Sequence, residues 1–163
     1  MDQKVYELMN EQVKHEFYSA YMYLSMSAYC EAENLPGFAT WLKVQAAEEQ
    51  EHALKFHEHL IDRGEKVKLL AIEQPPVEYT SVKDVFEKVH AHEQKVTALI
   101  NAIYAKALEA KDTASQVFLQ WFITEQVEEE KNSSSILDMV TKIGSHIGGL
   151  YQLDHQLGKR KAE

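Results

Sequence analysis

The chain has 163 residues, 45% of them hydrophobic, enough for one ordinary domain to bury a core without disulfide staples. Three prolines and six glycines exclude collagen-like and low-complexity classes, and a net charge of −9 argues against a nucleic-acid backbone or an anionic membrane as partner and favours cations. A single cysteine, Cys30, suits a reducing compartment; with no signal peptide or long apolar run legible, a soluble cytoplasmic protein is the expectation.

The first predicted helix covers 3–33, with Val5, Met9, Val13, Ala20, Tyr23 and Leu24 on one apolar arc. Pro36-Gly37 separates it from a second helix over 37–63, whose arc is Phe38, Trp41, Leu42, Ala53, Phe56 and Leu60. The 17 residues from Gly64 to Thr80 contain Pro75-Pro76 and no helical period. Fully extended they reach about 56 Å, more than the roughly 40–46 Å length of each long helix. Ser81 with Asp84 reads as a capping box opening a third helix over 82–110, where Val82, Val85, Phe86, Val89, Val96, Ile100 and Ile103 share a face. Asp112 or Thr113 caps a fourth, 114–143, which presents Phe118, Trp121, Phe122, Ile136, Met139, Val140 and Ile143. Leu150, Leu153 and Leu157 mark a short fifth helix at about 149–158, and the final LGKRKAE is expected to fray. Short first and third links make antiparallel hairpins, and the long middle link starts helix 3 parallel to helix 2. The prediction is an all-α four-helix bundle with one long crossover loop and a short fifth C-terminal helix, one domain over 1–163.

Each arc is broken by acids. Glu16 falls on the first, Glu49 and His52 on the second, Glu93 on the third, and Glu125 and Glu129 on the fourth. Glu48 flanks the second arc, and Gln126 and Glu128 flank the fourth on opposite sides. Counted from the hairpin turns, these residues fall within about 7.5 Å of one height along the bundle. Carboxylates in an apolar core cost several kcal/mol each, like charges raise the cost, and no Lys or Arg on these arcs offsets them. Multivalent cations do. Carboxylate oxygens with one imidazole suit Fe, Mn or Zn. Taken singly, each acid reads as an edge position reaching solvent, and Glu128-Glu129-Glu130-Lys131 as a solvated face; their coincidence at one height is the signal. Glu87-x-x-His90 repeats the Glu49-x-x-His52 spacing but points away from its arc and is rejected. His57, His59, His92, His146 and His155 are expected at the surface or an interface, and Cys30 as a small hydrophobe.

The stretches NEQVKHEFYSAYMYLSM (10–26), AAEEQEHALKF (46–56), HEQ (92–94), FLQWFITEQVEEEK (118–131) and GLYQLD (149–154) resemble bacterial non-haem ferritins over nearly the whole chain. The resemblance implies a ferritin-like bundle whose ferroxidase centre oxidises Fe(II) with dioxygen. Ferric oxide is then stored inside a hollow shell of 24 copies, the fifth helix lying near the four-fold axes. Residue by residue, Glu16, Glu49 and His52 match the ligands of a first iron, with Glu49 bridging. Glu93, with Glu49 and Glu129, matches those of a second, and Gln126 the glutamine beside them. Glu48, Glu125, Glu128 and Glu129 match a third iron site, and Tyr23 and Trp121 the aromatics of an electron-transfer path. The alternative is a di-iron oxygenase or peroxidase of the rubrerythrin or bacterioferritin type. That pattern has a second Glu-x-x-His where this chain reads Gln126-Val127-Glu128-Glu129, and a haem-ligand methionine where it has Gln50, so no haem is expected. The acidic charge and in-bundle site also separate the chain from miniferritins with sites between subunits. An inactive, scaffold-type chain would lack the ligands, and a zinc-holding structural bundle is a remaining reading.

Overall fold

A computed structural model describes residues 1–161 and contains five helices: α1 (Gln3–Ala32), α2 (Pro36–Asp62), α3 (Val82–Glu109), α4 (Thr113–Ile143) and α5 (Ile147–Leu157). No strand occurs among the described residues, and no helix there is long and apolar enough to cross a membrane. Local chemistry sets the helix starts. The Asp2 carboxylate accepts from the backbone N–H groups of Lys4 and Val5, Ser81 from Asp84, and Asp112 from Ser115; each satisfies donors that a helix start leaves unpaired. Asp84 in turn accepts from the Thr80 N–H at 3.0 Å, one residue before the position of a capping box. Helix α2 starts with Pro36 and has no side-chain cap of its own. Its cap comes from α5: the Asp154 carboxylate accepts from Gly37 N at 2.8 Å and Phe38 N at 2.9 Å. Gly37 is required there, since a Cβ would stand 1.7 Å from the Asp154 carbonyl oxygen.

Two hydrophobic cores fill the bundle. One joins Met22, Met26 and Cys30 of α1, Phe38, Trp41 and Leu42 of α2, Val85 and Phe86 of α3, Ile136 and Val140 of α4, and Leu153 and Leu157 of α5. The other joins Val5 and Met9, Phe56 and Leu60, Ile100 and Ile103, and Leu119 and Phe122. The pairing of helix halves makes α1 antiparallel to α2 and α3, and α2 parallel to α3. The crossover climbs α1 to achieve this: Tyr6 Oη donates to Lys66 O at 2.7 Å, Asn10 exchanges two hydrogen bonds with the Lys68 backbone, Lys14 pairs with Glu73 at 2.9 Å, and Ser25 donates to Pro76 O. Helices α1 and α3 approach backbone to backbone. Helices α2 and α4 meet through rings instead, Phe56 to Phe122 at 4.3 Å and His52 to Trp121 at 5.3 Å between centroids.

Several expectations need correction. Leu24 and Trp121, assigned to apolar arcs, are each 42% exposed, while Leu119, not on the predicted arc, is fully buried. Leu24 belongs to the outer face of α1, and Trp121 is turned into the α2–α4 groove with the Lys55 ammonium 4.4 Å from its ring centre. Helix α5 begins at Ile147, because the His146 side chain caps it through Gly149 N at 2.9 Å. The tail is ordered by side-chain contacts through Arg160, described below; the expected fraying of Ala162 and Glu163 lies outside the described residues.

Candidate metal centre

Between the two cores runs a polar belt. Glu16, Glu49, His52, Glu93, Gln126 and Glu129 are all buried in it, with Ser19, Gln45 and Ser133. The same heptad-like spacing that buries Met9, Val13 and Ala20 on α1 buries Glu16, and that of Leu42, Ala53 and Phe56 on α2 buries Glu49 and His52. Glu16, Glu49 and His52 each offer one ligand atom within 4.8 Å of the other two, and His52 Nδ1 lies 3.3 Å from Glu49 Oε2. Glu93 enters from α3, where Tyr23 Oη donates to its Oε1 and Gln126 Nε2 to its Oε2 at 3.2 Å. Glu129 enters from α4 and accepts from Gln45 Nε2 at 2.8 Å.

Amides position the acids. Gln12 Nε2 donates to Glu16 Oε1 at 2.8 Å, and Gln45 Nε2 to Glu49 Oε1 at 3.3 Å. Both were missed by the sequence reading, although each is four residues before its acid on the same face, an i,i+4 pairing that is a usable signal. Glu16 Oε2 is buried with no hydrogen-bond partner, a costly arrangement unless a further group binds it.

The electrostatics agree. Burial, then the Glu49 charge, pushes the Glu16 carboxyl well above the usual carboxylate range. Burial, then Glu93 and Glu129, does the same to Glu49. Burial raises Glu93, and burial with the Glu93 charge pushes Glu129 up to about 8. Burial and Glu93 likewise raise the Tyr23 phenol. The belt demands positive charge, as protons or as a cation.

From the belt the α2–α4 groove opens into a vestibule of about 360 Å³, lined by Glu48, Glu51, Glu125, Glu128, Glu129, His52, Trp121 and Asn132, with Lys55 and the tail residues Arg160 and Lys161 as its cations. Glu48 and Glu125 are half-buried and Glu128 is exposed at the rim; Glu125 Oε1 is 4.0 Å from His52 Nε2. Glu129 belongs to belt and vestibule alike. The rejected pair stays apart: Glu87 pairs with Lys83 at 3.5 Å on the surface, and His90 Nδ1 contacts Ser133 Oγ. His92 is a correction. It packs against Tyr18 and edge-on to Tyr23, with Nε2 2.7 Å from Ser19 Oγ, and burial pushes it down to about 4. His59 stacks flat on Phe118 at 4.0 Å.

A four-helix bundle with a mid-height ring of carboxylates and one imidazole has the donor set of an intra-bundle metal centre. The family comparison makes this specific. The ferritin family, as its ferritin-like domain, matches residues 6–143. A probable bacterial non-heme ferritin-like protein of Haemophilus influenzae is 42% identical over 158 residues, 97% of this chain and 96% of that one. A bacterial non-heme ferritin of Campylobacter jejuni is 39% identical over 157 residues, 96% and 94% of the two. Among solved structures, the open pore ferritin of Archaeoglobus fulgidus superposes with a TM-score of 0.98 at 41% identity, covering 99% of each chain. The chain belongs to the ferritin family.

Proposed function

We propose that the protein is a cytoplasmic iron store with ferroxidase activity. Two Fe(II) ions bind as substrate among Glu16, Glu49, His52, Glu93 and Glu129, with Gln126 beside them. Each gives up one electron; dioxygen takes both, with two protons, and leaves as hydrogen peroxide. The carboxylates hold the ions more strongly as charge rises from +2 to +3. Because their oxygens are also held by Gln12, Gln45, Gln126 and Tyr23, they need no large rearrangement to do so. Tyr23 on Glu93 and Trp121 edge-on to His52 stand where an electron can reach the reacting pair. Ferric ions leave by Glu129 into the vestibule, where Glu48, Glu125 and Glu128 form a third iron site, and hydrolyse to a hydrated oxide. The observation that carries the reading is the belt itself: four carboxylates buried with no buried Lys or Arg among the described residues, one with an orphaned oxygen, opening onto further acids.

Storage needs a container, and the proposed one is a homo-oligomer of 24 copies. The count follows the family resemblance; self-association itself is supported by the largely apolar groove where the crossover passes α1, formed by Val13, Lys14, Phe17, Leu69, Leu70 and Ile72, with Leu69 75% and Val77 62% exposed. Covering such surface favours self-association. Aerobic mixing of apo protein with excess Fe(II) tests the whole reading. Rapid oxidation with many irons retained per chain in a large particle is expected. Turnover with about two irons per chain in a small species would instead indicate a di-iron oxygenase or peroxidase. Glu49→Ala should abolish the rapid phase, and a full wild-type initial rate in that variant would overturn the site assignment.

A further inference from the structure

The vestibule is not lined by acids alone. Beyond α5 the backbone makes one more turn, with Lys159 N donating to Gln156 O and Arg160 N to Leu157 O. This brings the Arg160 guanidinium back over α2. Its Nη2 donates to Glu48 Oε2, its Nη1 donates to Gln45 Oε1 at 2.8 Å, and its Cζ lies over the Trp41 ring, 4.4 Å from the ring centre. Fork and stack together are what a guanidinium does and an ammonium does not. Gln45 is fully buried, and with its oxygen turned to Arg160 its nitrogen faces Glu49 and Glu129. The cation thus holds one acid of the vestibule directly, and through one amide it fixes the orientation of two acids of the belt. Its charge is also felt favourably at Glu129.

We propose that Arg160, the vestibule cation bonded to Glu48, competes with an incoming metal ion for that carboxylate and sets the affinity of that position. The inference rests on the metal-centre reading above and adds a regulation that the acids alone do not have. A metal ion that takes the Glu48 oxygen held by Arg160 displaces the guanidinium from that carboxylate and removes one of the contacts that dock the tail, the others being those to Gln45 and Trp41. If the guanidinium holds Glu48 about nine-tenths of the time, it weakens apparent metal affinity there about tenfold, because only the fraction free of it is competent. Arg160 is a positioning residue toward the belt, since it touches Glu49 and Glu129 only through Gln45.

The test is an equilibrium titration of the intact metal-free assembly with Zn(II), a redox-inert ion of suitable ligand preference. The vestibule position is defined as the class of sites lost in Glu48→Gln. Arg160→Gln should tighten that class about tenfold with the number of sites per chain unchanged. Arg160→Lys, which keeps charge but loses fork and stack, should fall between. In the Glu48→Gln background Arg160→Gln should have no such effect. A general loosening of the structure weakens binding, so a gain of affinity separates competition from a merely structural role. Unchanged or weaker binding in Arg160→Gln, with wild type binding zinc normally, overturns the role of Arg160 and leaves the metal centre standing. A wild-type protein that binds no zinc at all overturns both.

Discussion

Asp154 offers the sharpest test of how the fifth helix is held. Among the described residues its carboxylate is the side-chain cap at the start of α2: it takes Gly37 N and Phe38 N in a setting where Asp154 itself is buried. Asp154→Ala leaves two amide donors facing a hydrophobic contact. Loss of a helix cap costs about 0.5–2 kcal/mol, and a buried donor left unpaired about 1–3. Added at mid-range, these terms put the cost at about 3 kcal/mol, and of the hydrophobic residues of α5 Leu153 and Leu157 are buried in the core to resist it. The cheapest response is therefore local opening of α5 rather than global unfolding. Hydrogen exchange of peptides covering 36–42 and 147–157 reads it directly; about 3 kcal/mol corresponds to roughly a hundredfold in the opening equilibrium. Asp154→Asn, which keeps an acceptor, should lose about a tenth as much protection. Gly37→Ala drives a methyl into the Asp154 backbone and should open the same helix. The double variant should then be scarcely worse than Gly37→Ala alone. Equal protection in Asp154→Ala and wild type, or fully additive effects in the double variant, would refute the remote cap.

Other outcomes follow from the belt and cores. Raised carboxyls bind protons more tightly folded than unfolded, so they contribute stability that is full below the ordinary carboxylate range and lost as pH rises through their raised values. For Glu129 that window runs from 4.5 to about 8. The metal-free protein should therefore melt at lower temperature at the alkaline end of that window than at the acid end. Zinc should reverse the trend, because it needs the ligands deprotonated; an apo melting temperature that climbs through the window would refute the assignment. Zinc binding near neutral pH should also release protons, detectable with an indicator dye. Gln12→Leu removes the donor that lowers Glu16 and should weaken zinc binding about tenfold in mild acid, with less effect in mild alkali. In the cores, Leu119→Ala should cost about 3 kcal/mol in denaturant unfolding, and Leu24→Ala well under half of that; the opposite ranking would contradict the burial described.

The sequence carried the belt because burial and chemistry disagree there: Glu16, Glu49, His52 and Glu93 each occupy a position where helical spacing calls for an apolar side chain. Such conflicts are visible on a helical wheel without a structure. Helix starts were legible from Ser81 and Asp112 for the same local reason. Trp121 was misassigned because periodicity cannot distinguish a ring packed in a core from one turned into a groove. Leu119 was missed because the fourth helix is apolar on more than one side, with Val117, Phe118, Leu119, Trp121 and Phe122 nearly consecutive. Arg160 and Asp154 were out of reach for another reason. Each acts on residues more than a hundred positions away, and only the docking of α5 brings those partners together.

The polar belt has a consequence for how disturbance spreads through the molecule. Apolar packing transmits strain from neighbour to neighbour, but here it is interrupted at mid-height by side chains joined through hydrogen bonds. Phe86 on one side and Phe122 on the other belong to separate cores. Substitutions at the two should simply add, each end of the bundle tolerating change without consulting the other. The bundle behaves as two insulated halves with one exchange between them, and whatever fills the belt governs the traffic across it.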